Sequence, residues 1–225
     1  LMPNKLVLDI ETVGVDFEGL DKKSREYLLH FADSPEKEEE VKEQLSFSPL
    51  TGQIVALAIL NPDTDKGAVY FQAPDLQLDQ TEEDGVQYFP TTEKEILKNF
   101  WDIISHYDQY VTFNGRTFDC PYIMVRSAIL KVKPSRNLMP YRYGDEHVDL
   151  FDRLTFFGAV RRKMSLHLWC QAFGIPSPKD KGITGDDVGR LFGEQRYADI
   201  ARYCFDDIRA TKELFAYWDK YINIK

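Results

Sequence analysis

The stretch Leu6-Val-Leu-Asp-Ile-Glu-Thr12 decides the fold, because it places two acids inside an apolar run. Such a run is typical of a strand, and side chains of a strand alternate between its two faces. Asp9 and Glu11 are therefore predicted to share one face, while Leu8 and Ile10 point into the core. Two like charges side by side repel each other, and a divalent cation removes that repulsion. Taken alone, the pair also fits a satisfied sheet edge, so further ligands must be sought along the chain.

The length and composition indicate one globular domain. A chain of 225 residues can bury a core, and its 43% hydrophobic and 29% charged residues are ordinary for such a domain. No apolar run approaches the ~18 residues of a transmembrane helix. The cysteines Cys120, Cys170 and Cys204 are widely spaced and odd in number. We therefore expect reduced thiols that fill the core and a cytoplasmic location.

The charge of the chain is distributed unevenly. The net charge is -9, yet residues 115–163 carry 10 Lys and Arg against 5 Asp and Glu, a net +5. A solvated surface explains such a segment, and so does a site for a polyanion. Residues 16–48 are highly charged and weakly apolar, so we expect a surface insertion of two helices there.

The pattern of apolar residues predicts an α/β domain with one mixed sheet flanked by helices. An antiparallel meander of three strands opens the chain, and later strands alternate with helices. Thr92 is the predicted cap of the first long helix, and Gly174 ends the next-to-last one. The predicted strands are 6–12, 52–60, 67–72, an edge strand at 86–89, 109–113 and 147–150, and the predicted helices after the insertion are 92–104, 121–130, 165–173 and 194–221.

Two further acidic patterns follow the opening pair. Asn114-Gly-x-x-Phe-Asp119-x-Pro-Tyr122 precedes a predicted helix, where an aspartate is most often a cap. Tyr203 and Asp207 lie four residues apart on the last helix and therefore on one face. On their own such residues most often form a surface hydrogen bond. Each pattern is weak alone, and their order along the chain makes them informative together.

In this order and spacing, the three patterns resemble the motifs of the DEDD superfamily of 3'-5' exonucleases, in the branch with a tyrosine in the third motif. The histidine branch needs His five residues before the last aspartate, where this chain has Arg202. The second motif is most similar to that of the exonuclease domain of family-B DNA polymerases and their stand-alone bacterial relatives. The resemblance spans residues 9–207 and implies a ribonuclease H-like fold. The chain has no room for a polymerase domain, so we expect one exonuclease domain over residues 1–225, unless the chain is a fragment.

The resemblance also implies a site for two divalent metal ions, Mg²⁺ or Mn²⁺. Asp9 would bridge both ions, Glu11 and Asp207 would hold the ion that carries the attacking water, and Asp119 would lie near the second ion. Tyr203 would orient the water. Two cations about 3.5 to 4 Å apart suit phosphodiester hydrolysis, because one lowers the pKa of water and the other stabilises the leaving oxygen. Carboxylate oxygens are also the ligands that these ions prefer.

The implied reaction releases nucleoside 5'-monophosphates from the 3' end of a single strand, with DNA favoured by the likeness to polymerase-type domains. An RNA-trimming exonuclease and a catalytically silent nucleic-acid-binding domain are the alternatives. Substrate contacts are predicted at Thr12, Asn114, Arg116, Lys179 and Lys181. A groove for a single strand would use basic and aromatic residues of the middle segment. Its candidates are Arg116, Lys131, Lys133, Arg136, Tyr141, Tyr143, Arg161, Arg162 and Lys163.

Overall fold

A seven-stranded mixed sheet is the centre of the computed structural model, which describes residues 3–224 apart from the side chains of Asp180 and Lys181. The strands are β1 (Lys5–Gly14), β2 (Gly52–Leu60), β3 (Gly67–Gln72), β4 (Thr81–Glu83), β5 (Val86–Thr91), β6 (Gln109–Thr112) and β7 (His147–Asp149). Their order across the sheet is β4-β5-β3-β2-β1-β6-β7. Strands β1, β2 and β3 pair antiparallel, whereas β6 is parallel to both β1 and β7. This arrangement confirms the predicted α/β fold with an antiparallel meander and parallel strands.

The prediction of an edge strand at residues 86–89 is wrong in its placement. Strand β5 pairs in parallel with β3, and β4 covers its other side. Strand β4 consists of Thr81 and two glutamates, and all three residues are exposed. A strand without buried residues gives no alternation of apolar and polar residues, so the sequence pattern could not reveal it.

Helices cover both faces of the sheet. They are α1 (Lys22–Leu28), α2 (Pro35–Glu43), α3 (Glu93–Ile104), α4 (Asp119–Ile129), α5 (Leu150–Leu154), α6 (Leu166–Phe173), α7 (Val188–Gly193) and α8 (Tyr197–Tyr221). Leu6, Leu8 and Ile10 of β1 pack against α3 and α4, whereas Val7 and Val13 pack on the side of α5 to α8. Strand β1 therefore contributes alternate residues to two cores. In the part of the chain that the structure describes, none of the helices has the length and apolar character needed to cross a membrane.

The helix boundaries follow the predicted start and stop signals with one exception. Thr92 caps α3 by accepting a hydrogen bond from the Glu95 N–H, and Gly174 ends α6 with a φ of 67°. The last helix begins at Tyr197 instead of residue 194. The chain first forms the separate short helix α7 and then reverses at Gln195, whose φ is 60°. Six residues are too few to show a helical period in the sequence.

The segment of residues 16–48 lies on the surface but is attached to the end of β1. Its helices α1 and α2 bury no residue. The turn Gln44–Phe47 at its end is fixed to β1, because Leu45 is buried and the Thr12 hydroxyl donates to the Ser46 carbonyl at 2.9 Å. A Cβ on Gly14 would lie 2.8 Å from that of Leu45, so only glycine permits this close approach.

A buried ion pair connects both helices of one layer to the sheet. The Glu93 carboxylate, at the start of α3, accepts two hydrogen bonds from Arg126 of α4, at 2.6 and 2.8 Å. It also accepts the N–H of Ile54 in β2 at 2.8 Å, and Arg126 donates to the Pro49 carbonyl. Removal of one partner would leave the other charge buried and unpaired, which is strongly destabilising.

Replacing Glu93 by alanine should therefore lower the free energy of unfolding by about 3 to 5 kcal/mol, measured by urea denaturation. The matched control is Glu95→Ala on the same helix, whose carboxylate pairs with Lys98 on the surface. This control should lose less than about 1 kcal/mol. Equal losses in the two variants would contradict the structural role of the buried pair.

Candidate active site

Asp9 and Glu11 lie on the face of β1 that packs against α8. Their carboxylates and the Cys204 Sγ lie within 4.8 Å of one another. Leu8 and Ile10, on the opposite face, are buried, as the alternation of the strand predicts. The two acids therefore point together into the space between the sheet and the last helix.

Asp119 reaches the same strand from the start of α4. Its Oδ1 accepts a hydrogen bond from the N–H of Ile10 at 3.1 Å. The parallel pairing of β1 with β6 ends at Val7, opposite Val111, so the N–H of Ile10 has no partner on β6. The carboxylate takes the place of the missing strand and comes to lie beside Asp9 and Glu11.

The loop between β6 and α4 is held by Asp149, a residue for which the sequence offered no role. Its carboxylate accepts the N–H groups of Asn114 at 2.8 Å, Arg116 at 2.9 Å and Phe151 at 3.0 Å. Asn114 takes the left-handed conformation, with a φ of 63°. Two of these donors belong to the turn and the third to the start of α5, so Asp149 ties the segment that carries Asp119 to α5.

Tyr203 and Asp207 of α8 complete the cluster. Tyr203 is only 7% exposed, so the pair is not the surface hydrogen bond that such residues usually form. It lies close enough to the Asp207 carboxylate, and to Glu11 and Asp9, for their charges to act on its hydroxyl. Burial and the nearby carboxylates of Asp207, Glu11 and Asp9 raise the pKa of Tyr203 well above its ordinary value. The phenol is therefore neutral and keeps its proton at physiological pH.

The four carboxylates destabilise one another. Burial raises the pKa of Asp9 well above its ordinary value, and the charges of Asp119, Asp207 and Glu11 raise it further. Burial likewise raises the pKa of Glu11, and it raises the pKa values of Asp119 and Asp207 to about 7. A buried cluster of oxygen donors with raised pKa values fits hard divalent cations, which neutralise the charge and prefer such ligands.

Cys204 is buried, as predicted, and it also contacts the cluster. Its thiol donates to the main-chain oxygen of Asp9 at 3.7 Å and to Asp9 Oδ2 at 3.8 Å. The sequence predicted that this thiol would fill the core. The sequence could not show which strand residue it would meet across the layer.

Two of the predicted substrate contacts have partners within the protein. The Thr12 hydroxyl is directed at the Ser46 carbonyl of the surface segment. Arg116 Nη2 donates to the Pro140 carbonyl at 2.7 Å, and its Nη1 is buried with no partner among the described residues. Thr12 therefore connects β1 to the surface segment, and Arg116 connects the loop before α4 to the chain at Pro140.

The other predicted contacts lie nearer the acids or outside the described residues. The exposed Lys179 lies close enough to Asp207 that its positive charge lowers the pKa of that carboxyl, against the larger effect of burial. Asn114 is half-buried in the turn before Asp119. The side chain of Lys181 lies outside the described residues.

The sheet topology and the flanking helices define the ribonuclease H-like α/β class. The chain belongs to the family described as "Predicted 3'-5' exonuclease related to the exonuclease domain of PolB", which matches residues 53–221. This membership confirms the predicted superfamily and identifies a 3'-5' exonuclease domain, a kind of domain that uses divalent metal ions. The matched range contains the second and third motifs, whereas Asp9 and Glu11 precede it.

Several DNA polymerases are similar to parts of this chain. DNA polymerase 1 of Sulfolobus acidocaldarius is 31% identical over 115 residues, which cover 48% of the chain and 13% of the polymerase. The DNA polymerase of Desulfurococcus sp. (strain Tok) is 26% identical over 181 residues, which cover 66% of the chain and 23% of the polymerase. The chain thus spans about a quarter or less of the length of these relatives.

A solved structure shows the same fold. The family B DNA polymerase from the hyperthermophilic archaeon Pyrobaculum calidifontis superposes with a TM-score of 0.61 at 19% sequence identity. The superposition covers 96% of this chain and 24% of that polymerase. The shared fold therefore spans nearly the whole of this chain.

Asp119→Asn should stabilise the metal-free protein in a pH-dependent manner. The asparagine oxygen can still accept the Ile10 N–H, but the charge is lost. Because the pKa of Asp119 is raised to about 7 in the fold, ionisation destabilises the native state as the pH rises from about 4 to about 7. In EDTA we expect the variant to be more stable by roughly 1 to 4 kcal/mol at about pH 8, and equal to the native protein near pH 4.

Urea denaturation at both pH values measures this difference. Asp102→Asn, at an exposed position on α3, serves as the control and should change stability little at either pH. The electrostatic account of the cluster would be wrong if Asp119→Asn lost stability at the higher pH, or if its gain did not depend on pH.

Proposed function

We propose that this chain is a 3'-5' exonuclease that removes nucleoside 5'-monophosphates from the 3' end of single-stranded DNA. The observation that carries the proposal is the convergence of the buried Glu11 and Asp119 with the half-buried Asp9 and Asp207 at one site. Three separate elements deliver these acids, and no packing role needs four mutually repelling carboxylates. Membership of the exonuclease family and the similarity to DNA polymerases support both the reaction and the choice of DNA.

The four carboxylates would hold two divalent ions, Mg²⁺ or Mn²⁺. Asp9 is the best candidate for the shared ligand, because its pKa is raised by all three other acids. Glu11 and Asp207 interact with each other and would share one ion, while Asp119, held by the Ile10 N–H, would face the second. When bound, the ions would supply a water of lowered pKa and would stabilise the leaving 3'-oxygen.

Tyr203 would orient the attacking water, and the chain would then belong to the tyrosine branch of the superfamily. The charge of Asp207 acts on the hydroxyl, which therefore lies near the acid proposed to hold the water-bearing ion. Because its pKa is raised, the phenol donates a hydrogen bond without losing its proton. An oriented water near its line of attack needs less ordering in the transition state.

The substrate contacts divide into two groups. Lys179 is the best candidate for a phosphate contact, because it is exposed and its charge acts on Asp207. Lys181 and Asn114 remain proposed contacts, since they flank the cluster in the sequence. Thr12 and Arg116 would act indirectly, through the surface segment and the loop that they hold. The whole chain would then form a single exonuclease domain with a helical insertion at about residues 16–48.

Cleavage of a single strand labelled at its 5' end tests the reaction. DNA and RNA of equal sequence are incubated with Mg²⁺ or Mn²⁺, and the products are separated by length. We expect a ladder that shortens from the 3' end of DNA, and we expect Asp9→Asn to slow it by about 10²-fold or more. A ladder on RNA alone would overturn the choice of DNA, and folded protein that shortens neither polymer would overturn the reaction.

Tyr203→Phe should slow cleavage by about 10- to 100-fold while leaving metal affinity unchanged, because it removes only the hydroxyl proposed to orient the water. Single-turnover cleavage and Mn²⁺ titration calorimetry separate the two effects. Asp207→Asn should lower both the cleavage rate and the affinity for Mn²⁺. Tyr217→Phe, on the same helix and 38% exposed, is the matched control and should cleave normally. Loss of Mn²⁺ binding in Tyr203→Phe would contradict the proposed role.

A further inference from the structure

Exposed aromatic and basic side chains are concentrated in the segment of residues 141–163, whose exposed rings and cations are here named the aromatic-basic surface. The aromatic members are Tyr141, Tyr143 and Phe156, with exposed fractions of 75%, 54% and 60%. The basic members are Arg161, Arg162 and Lys163, which are all exposed and have no ion-pair partner among the described residues. Large exposed rings next to unpaired cations are unusual on a protein with a net charge of -9.

The rings of this surface are held in place by a rigid base. Phe157 packs against Tyr143 with the ring centroids 4.6 Å apart, and the guanidinium groups of Arg142 and Arg153 lie over it at 6.0 and 5.3 Å. Arg142 is in turn fixed by two hydrogen bonds to the buried Asp152. The exposed rings therefore stand on a preformed support, which reduces the entropy lost on binding.

The backbone of the surface is strained where it exposes Phe156. Phe156 and Phe157 have φ values of 48° and 55°, and Gly158 follows at 99°. Two consecutive phenylalanines in the left-handed region are unfavourable, and such strain persists where the surrounding structure fixes it. Here the Phe157 N–H donates to the Asp152 carbonyl at 2.7 Å. The Val160 N–H donates to the Thr155 carbonyl at 3.0 Å. The strain directs one ring into the support and its neighbour into solvent.

The surface is connected to the loop between β6 and α4, which precedes Asp119. Arg116, three residues before Asp119, donates to the Pro140 carbonyl, and Tyr141 is the next residue. Other basic residues of the middle segment do not belong to the surface. Arg136 is bound to Glu146 and to the Tyr107 carbonyl. Two lysines, Lys131 and Lys133, line a separate cavity of about 390 Å³ with Trp101.

We propose that the aromatic-basic surface binds the single-stranded DNA on the 5' side of the nucleotide that is being removed. The proposal rests on the function proposed above and specifies where the rest of the strand lies. Exposed rings stack on bases of any sequence, and cations beside them neutralise the phosphates. A non-specific exonuclease needs that combination, because the bases that follow the 3' end change at every step.

Binding of a fluorescent oligothymidylate of about 16 nucleotides tests the surface in an Asp9→Asn background, which prevents cleavage. Tyr141→Ala and Phe156→Ala should each raise the dissociation constant by about 5- to 100-fold. The combined variant Arg161→Gln, Arg162→Gln, Lys163→Gln should reduce the slope of log affinity against log salt by about 0.7 per charge. Tyr27→Ala and Phe31→Ala remove equally exposed rings from the acidic insertion and should leave affinity unchanged.

Cleavage of a thymidine dinucleotide by the same variants, with Asp9 intact, separates this proposal from the proposed function. The dinucleotide fills the active site without reaching the surface, so we expect kcat/KM on it to be unchanged while KM on the long strand rises. If the unmodified protein cleaves the dinucleotide but the surface variants bind the long strand normally, the surface proposal is overturned and the exonuclease remains. If the unmodified protein binds no single strand, the surface serves another partner and the proposal is again overturned. If it binds the strand but cleaves neither substrate, only the proposed reaction fails.

Discussion

The hydrogen bond from the Ile10 N–H to the Asp119 carboxylate depends on a gap in the sheet, and the active site is built around that gap. Strands β1 and β6 pair only as far as Val7 and Val111, after which β6 turns away into the loop before α4. The unpaired edge of β1 would leave a buried N–H without a partner, which is costly. Asp119 satisfies it and is thereby brought to Asp9. Crevices at the carboxyl ends of parallel strands are common binding sites in α/β sheets for the same geometric reason.

This arrangement makes the site a destabilising element of the metal-free fold. Four acids that are buried or half-buried, with raised pKa values, oppose folding, and the two cores on either side of β1 must offset them. An ion that binds only the folded cluster stabilises the protein by mass action, so metal affinity and stability are linked. The neutral phenol of Tyr203 adds a hydrogen-bond donor to the cluster without adding charge.

The sequence predicted what depends on local pattern and missed what depends on packing between distant segments. The strand alternation of Asp9 and Glu11 and the helical spacing of Tyr203 and Asp207 are local, and the structure shows both arrangements. Asp149 could not be recognised, because its partners are backbone N–H groups of a loop more than thirty residues away. The sequence likewise does not show that the Arg116 guanidinium donates to the Pro140 carbonyl. Side-chain direction in a loop is a tertiary property.

The acidic total charge of the chain agrees with a polyanionic substrate once its distribution is considered. The insertion at residues 16–48 carries 10 acids and 5 bases, a net -5, whereas residues 115–163 carry a net +5. The insertion contacts the site through the Ser46 carbonyl and the ring pair of Phe47 and Phe118. The basic segment contacts the site through Arg116. Charges act over roughly 8 to 10 Å at physiological salt, so opposite charges on the two flanks would favour entry of the proposed substrate from the basic flank.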